Sequence, residues 1–135
     1  MKILVIEDDK IAQLGIKKIF GAAQDTVEIY ISENGEEGLD FLKNHPESLP
    51  DFILLDLNMP KMNGVEFLKI TSNHDVFKNI PVVVHTTSNN KADVETCRQL
   101  GIAGYFVKSV DYAQYKSNLQ IILAYWSQSE QINKL

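Results

Sequence analysis

The sequence predicts an α/β domain built on a doubly wound parallel sheet, five strands in the order 2-1-3-4-5 with five helices. Three observations carry this reading. Residues 3–6, 52–55 and 81–85 are short and almost wholly apolar, the pattern of strands buried on both faces. Stretches with helical spacing lie between them, and that alternation yields a parallel sheet with helices on both sides. Each strand then ends in side chains capable of chemistry: Glu7-Asp8-Asp9, Asp56, Thr86-Thr87-Ser88 and, after residues 104–107, Lys108. Open α/β sheets bind their ligands at this carboxyl edge.

Taken in order, residues 3–6 form a central strand, and Asp9 or a neighbour caps a helix with Ile11, Leu14, Ile16, Ile19 and Phe20 as its apolar face. Gly21 is the expected stop. Residues 27–31 alternate in part around Glu28, as an edge strand does, and Asn34-Gly35 opens a helix that ends near His45-Pro46. Residues 52–55 lead to Asp56, after which Pro60 and Asn63-Gly64 force a loop and a short helix follows. Residues 75–79 read as an irregular connection, 81–85 as a buried strand, and 91–100 as a mostly polar helix stopped by Gly101. The fifth strand, 104–107, precedes a final helix capped by Asp111 and running through Trp126. The crossover rule leaves few arrangements of these strands. In the order 2-1-3-4-5, Glu7 and Asp8 lie beside Asp56, with Thr86 and Lys108 on the next two strands.

Composition bounds the function. The chain has 135 residues, enough for one domain with a single core. Its 44% hydrophobic and 23% charged residues are ordinary for a globular protein, and a net charge of −5 argues against direct nucleic-acid binding. The lone cysteine, Cys97, reads as a plain reduced residue of a cytoplasmic protein. The N-terminal apolar run is too short, and too soon acidic, for a signal peptide or membrane span. No length remains for an effector domain, so the expectation is a domain acting alone.

Clustered carboxylates repel, by roughly 4 kcal/mol for unit charges about 4 Å apart at an effective dielectric near 20. A cation relieves that repulsion. Oxygen ligands at this charge suit Mg²⁺, with Asp8 and Asp56 as direct ligands and Glu7 acting through water. A carboxylate is also a nucleophile towards phosphorus. Phosphoryl transfer needs its equatorial oxygens neutralised, and Mg²⁺, the Lys108 ammonium and the Thr86 hydroxyl can each meet one.

These motifs resemble the receiver domains of two-component response regulators over residues 1–127, with 128–135 as a C-terminal tail. The matching residues are Val5-Ile6-Glu7-Asp8, the stretch 55–64 around Asp56, Val84-His85-Thr86-Thr87-Ser88, and Gly104-Tyr105-Phe106-Val107-Lys108. The resemblance implies a flavodoxin-like fold and Asp56 as acceptor of a phosphoryl group from a sensor histidine kinase. It implies Mg²⁺ held by Asp8, Asp56 and the Asn58 carbonyl with Glu7 behind them, and Thr86 and Lys108 on the phosphoryl group. Tyr105 would be an aromatic switch moving with Thr86. Such a protein is no conventional enzyme: it catalyses its own phosphorylation and slow autodephosphorylation. Two features depart from the family pattern: Ser109 replaces the usual proline after the lysine, and Thr87 is bulky beside Thr86. A cis Lys108-Ser109 bond is the expectation, as the geometry that aims the ammonium at Asp56. Lys108-Ser109, Thr86-Thr87-Ser88 and Tyr125-Trp126 are similar to the small regulators paired with bacterial phytochromes.

Competing readings weigh less. An aspartyl phosphohydrolase of the haloacid dehalogenase kind has its nucleophile after the first strand and a second Asp two residues on, where this chain has Asn58 after its third. A flavin binder needs a Ser/Thr/Gly-rich loop after strand 1, where Glu7-Asp8-Asp9 stand. A degenerate receiver that binds partners without phosphate fits poorly with a complete reactive set. His85 is expected as a hydrogen-bonded core residue, while His45 and His74 carry no signal. On the last helix, Tyr115, Leu119, Ile122 and Trp126 should face the core, leaving Ile121, Ala124 and Tyr125 as surface for a two-fold homodimer.

Overall fold

A computed structural model describes residues 1–23 and 26–129. The strands are β1 (Lys2–Ile6), β2 (Glu28–Ser32), β3 (Phe52–Leu55), β4 (Val82–Thr86) and β5 (Gly104–Val107). The helices are α1 (Lys10–Ala23), α2 (Gly35–Asn44), α3 (Gly64–Ser72), α4 (Lys91–Gln99) and α5 (Tyr112–Gln128), with a 3-10 turn at Phe77–Asn79. All pairings are parallel, in the expected order β2-β1-β3-β4-β5. The helix starts read from the sequence hold. Asn34 caps α2 by accepting from the Glu37 amide, Asn63 and Glu66 form a reciprocal capping box on α3, and Asp111 accepts from the Gln114 amide. Gly101, at φ 81°, carries the left-handed turn after α4.

Alternation along the strands splits the core in two. Leu4, Ile6, Ile53, Leu55, Val82 and Val84 face α2, α3 and the buried Cys97 of α4. Ile3, Val5, Phe52, Leu54 and Val83 face Ile16, Ile19 and Phe20 of α1 and Leu119, Ile122 and Leu123 of α5. β2 is an edge strand in which Glu28 and Tyr30 point to solvent, as its partial alternation implies.

The structure corrects the sequence reading in α1. Gln13, Ile16, Ile19 and Phe20 are buried, whereas Ile11 is 81% and Leu14 67% exposed. The stripe 13–16–20 turns to the sheet because it brings Ile16, Ile19 and Phe20 into the core while Gln13 donates to the Glu7 carbonyl oxygen at 2.6 Å, and Ile11 and Leu14, three apart, share a different face. Gly21 does not stop the helix, which runs on to Ala23. The last helix follows its expectation: Leu119 and Ile122 are buried, with Leu123 added, and Ile121, Ala124 and Tyr125 are exposed. It extends to Gln128, and tail residues 130–135 lie outside the described residues.

Candidate functional site

Four strand ends converge. The Asp56 amide donates to the Ile6 carbonyl oxygen at 3.0 Å, setting Asp56 beside the Glu7–Asp8 turn. Carboxylate oxygens of Glu7, Asp8 and Asp56 all lie within 4.8 Å of one another; Glu7 and Asp56 are buried and Asp8 is exposed. The floor beneath them depends on Gly64. A Cβ there would stand 2.5 Å from the Asp56 carbonyl oxygen and 2.8 Å from Leu57 Cα, so only glycine lets α3 start this close to the acceptor strand. Asn58, exposed on the loop between them, donates its amide to Asp56 Oδ1 at 3.4 Å. Lys61 in the same loop adopts left-handed backbone at φ 62°, a conformation uncommon outside glycine.

Lys108 reaches into this cluster from β5. Its backbone amide donates to the Thr86 carbonyl oxygen at 2.7 Å, extending the β4–β5 ladder by one residue. Its Nζ lies 2.5 Å from Glu7 Oε1 and 3.8 Å from Asp56 Oδ2. Burial alone would lower the Lys108 pKa, but the Glu7 hydrogen bond and the Glu7 and Asp56 charges outweigh it, and the net shift is upward. Burial raises Glu7 despite the opposing Lys108 contact, and the Asp56 charge adds to the rise. The Lys108–Glu7 pairing was not read from the sequence, which assigned the ammonium to the phosphoryl group.

The expected cis Lys108-Ser109 bond is absent: no peptide bond among the described residues is cis. Without proline a cis bond costs about 2.5–4 kcal/mol, and a trans chain already delivers the ammonium to both carboxylates. A second correction concerns His85. It is buried as expected, but neither ring nitrogen has a hydrogen-bond partner. The strand puts its side chain on the α1/α5 side of the sheet, against the Tyr115 ring at 5.3 Å, where apolar neighbours surround it.

Thr86 and Tyr105 meet one another through the loop after β4. Thr86 is fully buried, and its Oγ1 accepts from the Ser88 amide at 3.3 Å. The Tyr105 hydroxyl donates to the Ser88 carbonyl oxygen at 2.9 Å. Ser88 Oγ donates to Asp93 Oδ2 of α4 at 2.6 Å. Gln13 and the role of Ser88 as a link were missed. Gln13 had a signal, a lone amide within an otherwise apolar helical stripe; Ser88 stood in the strand-end run Thr86-Thr87-Ser88, but its bond from the Tyr105 hydroxyl, 17 positions on, has no local signal.

Beside the cluster, Ile11, Gly15, Thr87, Lys108, Val110 and Tyr112 line a cleft of about 440 Å³. A second groove of about 430 Å³ runs between β5 and α5, with Phe106, Ile121, Tyr125 and Trp126 among its walls. No helix among the described residues is long and apolar enough to cross a membrane.

A family model, the response regulator receiver domain, matches residues 3–120. The chain belongs to that family. Among curated relatives, the nitrate/nitrite response regulator NarL of Escherichia coli K12 is 38% identical over 110 residues, covering 81% of this chain and 48% of NarL. The chain thus spans about half the length of that relative. Response regulator Rcp1 of Synechocystis is 33% identical over 128 residues, covering 92% of this chain and 87% of Rcp1. Among solved structures, phosphorylated RcpA, a cyanobacterial phytochrome response regulator, superposes with a TM-score of 0.90 at 31% identity, covering 96% of this chain and 95% of RcpA. The Mn²⁺-bound form of Rcp1 gives 0.89 at 31% identity, covering 96% of both chains. The all-oxygen acidic cluster of this receiver fits a divalent cation in chemistry as well as in place.

Proposed function

We propose that this receiver works as a stand-alone response regulator that takes a phosphoryl group onto Asp56 from a sensor histidine kinase. The observation that carries the reading is the single cluster of Glu7, Asp8 and Asp56 carboxylates with the Lys108 ammonium 3.8 Å from Asp56. In the transfer, an Asp56 Oδ–P bond forms as the P–N bond of a donor phosphohistidine breaks, and the released imidazole takes up a proton. Asp8, Asp56 and the Asn58 carbonyl would hold Mg²⁺, with Glu7 reaching it through water; the ion supplies neutralising charge for the phosphoryl oxygens. Lys108 exchanges Glu7 for a phosphoryl oxygen, Thr86 turns its hydroxyl to another, and Tyr105 follows through the shared Ser88.

The kinase partner is of the phytochrome type, a reading supported by the cyanobacterial phytochrome regulator among the neighbours and by the resemblance that Lys108-Ser109 carries in the sequence. The receiver unit is taken as residues 1–127 with 128–135 as tail, working in the cytoplasm with neither membrane nor nucleic acid as direct partner. Output passes through the exposed side of α5, where Tyr125 is 60% exposed and Ile121 54%, as a two-fold homodimer. Light scattering on wild type and Tyr125→Glu, each with and without a phosphoryl mimic, tests it: monomers in all four samples contradict the dimer.

For the acceptor itself, a small acyl phosphate plus Mg²⁺ should add one phosphoryl group to wild type by intact mass and none to Asp56→Asn. Chelation should abolish the gain. Equal labelling of both proteins contradicts the assignment.

A further inference from the structure

His85 lies at the edge of this site, and nothing in the chemistry above uses it. It is 1% exposed, and both ring nitrogens lack a partner among the protein's groups. Burial, with the nearby Lys108 charge, holds its pKa down to about 4. At neutral pH the ring is therefore uncharged, with one nitrogen free to accept a hydrogen bond. A buried polar ring with no partner destabilises the fold where leucine would not, and such broken local rules concentrate at functional sites.

Sheet register brings a charged donor to the same face of the sheet. His85 pairs with Phe106 across β4 and β5. Because side chains alternate, Phe106 and Lys108 leave β5 on the same side as His85, with Lys108 one pleat further on. Tyr115 touches the His85 ring on that side and also lines the cleft containing Lys108. The lysine side chain thus leaves the sheet on the face that holds the imidazole, its charge acts on that ring, and it now engages Glu7 at 2.5 Å. A divalent cation in the acidic cluster competes with the ammonium for the same carboxylates and repels it.

We propose that His85 is a positioning residue that accepts the Lys108 ammonium when a divalent cation fills the Glu7–Asp8–Asp56 cluster before a phosphoryl group arrives. The ammonium is then held beside the site, off Glu7, and returns to the phosphoryl oxygens on transfer. This rests on the cation-site reading above and adds to it a reason for the unpartnered histidine.

The test is Mg²⁺ titration calorimetry at pH 7.5 on wild type, His85→Leu, His85→Gln, Lys108→Met and the Lys108→Met/His85→Leu pair, with thermal melts in chelator as the check on folding. In chelator, His85→Leu should melt above wild type. It should nevertheless bind Mg²⁺ roughly five- to tenfold more weakly, the range of a modest coupling, and His85→Gln should recover most of that loss. In the Lys108→Met background the leucine substitution should leave Mg²⁺ affinity unchanged. Equal affinity of wild type and His85→Leu overturns the proposal, as does the same loss with Lys108 removed. If wild type itself binds no Mg²⁺, the cation-site reading falls and takes this inference with it.

Discussion

At the carboxyl end of β4, two adjacent side chains leave opposite faces of the sheet into very different surroundings. Thr86, on the α4 side, has its hydroxyl engaged by the Ser88 amide, and the same serine is held by Tyr105 and Asp93. His85, on the α1/α5 side, is just as buried and has no partner for either nitrogen. The first side is a hydrogen-bonded latch that ties Thr86, Tyr105 and Asp93 to one serine. The second is an unfilled acceptor beside a lysine that already has a partner. The proposed exchange of Lys108 between partners would draw on an acceptor such as this one, whereas the Ser88 loop has every one of these groups already engaged.

The largest expected effect comes from breaking the charged arm of this comparison. Lys108→Met leaves Glu7 buried beside Asp56 with no counter-ion, a loss of roughly 3 kcal/mol in urea unfolding at pH 7.5 in chelator. The cost should shrink at pH 5. Glu7 has a raised folded pKa, so the folded state binds its proton more tightly than the unfolded chain and gains stability as pH falls through that window. A cost that is the same at both pH values contradicts the pairing.

The unpartnered arm has its own pH signature. The folded His85 pKa is depressed to about 4 from 6.5, with Lys108 and Tyr115 as the titratable groups facing it. The stability this neutral ring allows is therefore complete above pH 6.5 and is lost as pH falls to 4, about 3 kcal/mol over the interval. Urea unfolding free energies of wild type and His85→Leu should diverge by that amount as pH is lowered; parallel curves contradict the buried neutral ring.

The smallest effect belongs to the latch. Tyr105→Phe removes one hydrogen bond to the Ser88 carbonyl, worth about 1 kcal/mol. The Ser88 amide should exchange faster with deuterium in that variant than in wild type, and unchanged exchange contradicts the coupling.

What was legible in the sequence followed from local rules. Unbroken apolar runs gave the buried strands, caps such as Asn34, Asn63 and Asp111 gave the helix starts, and strand-end residues gave the acidic cluster because parallel order brings such ends together. What was hidden depends on rotation and reach. Ile11 and Leu14 also match a helical stripe, and the rotation of the helix, which buries Ile16, Ile19 and Phe20 and seats Gln13 on the Glu7 carbonyl, leaves them outside. The Lys108–Glu7 pair spans 101 positions and depends on a side chain free to choose between carboxylates. A cis bond after Lys108 was inferred from a family habit that proline sustains, and serine does not sustain it.

The central claim, Asp56 as phosphoacceptor, is tested most directly by trapping the acyl phosphate where it forms. Wild-type protein phosphorylated by an autophosphorylated histidine kinase in Mg²⁺ is reduced with borohydride, which converts an aspartyl phosphate to homoserine, then digested and sequenced by mass spectrometry. Homoserine is expected at position 56 and at no other aspartate. Homoserine at Asp8, Asp9 or another site, or none after confirmed transfer, contradicts it.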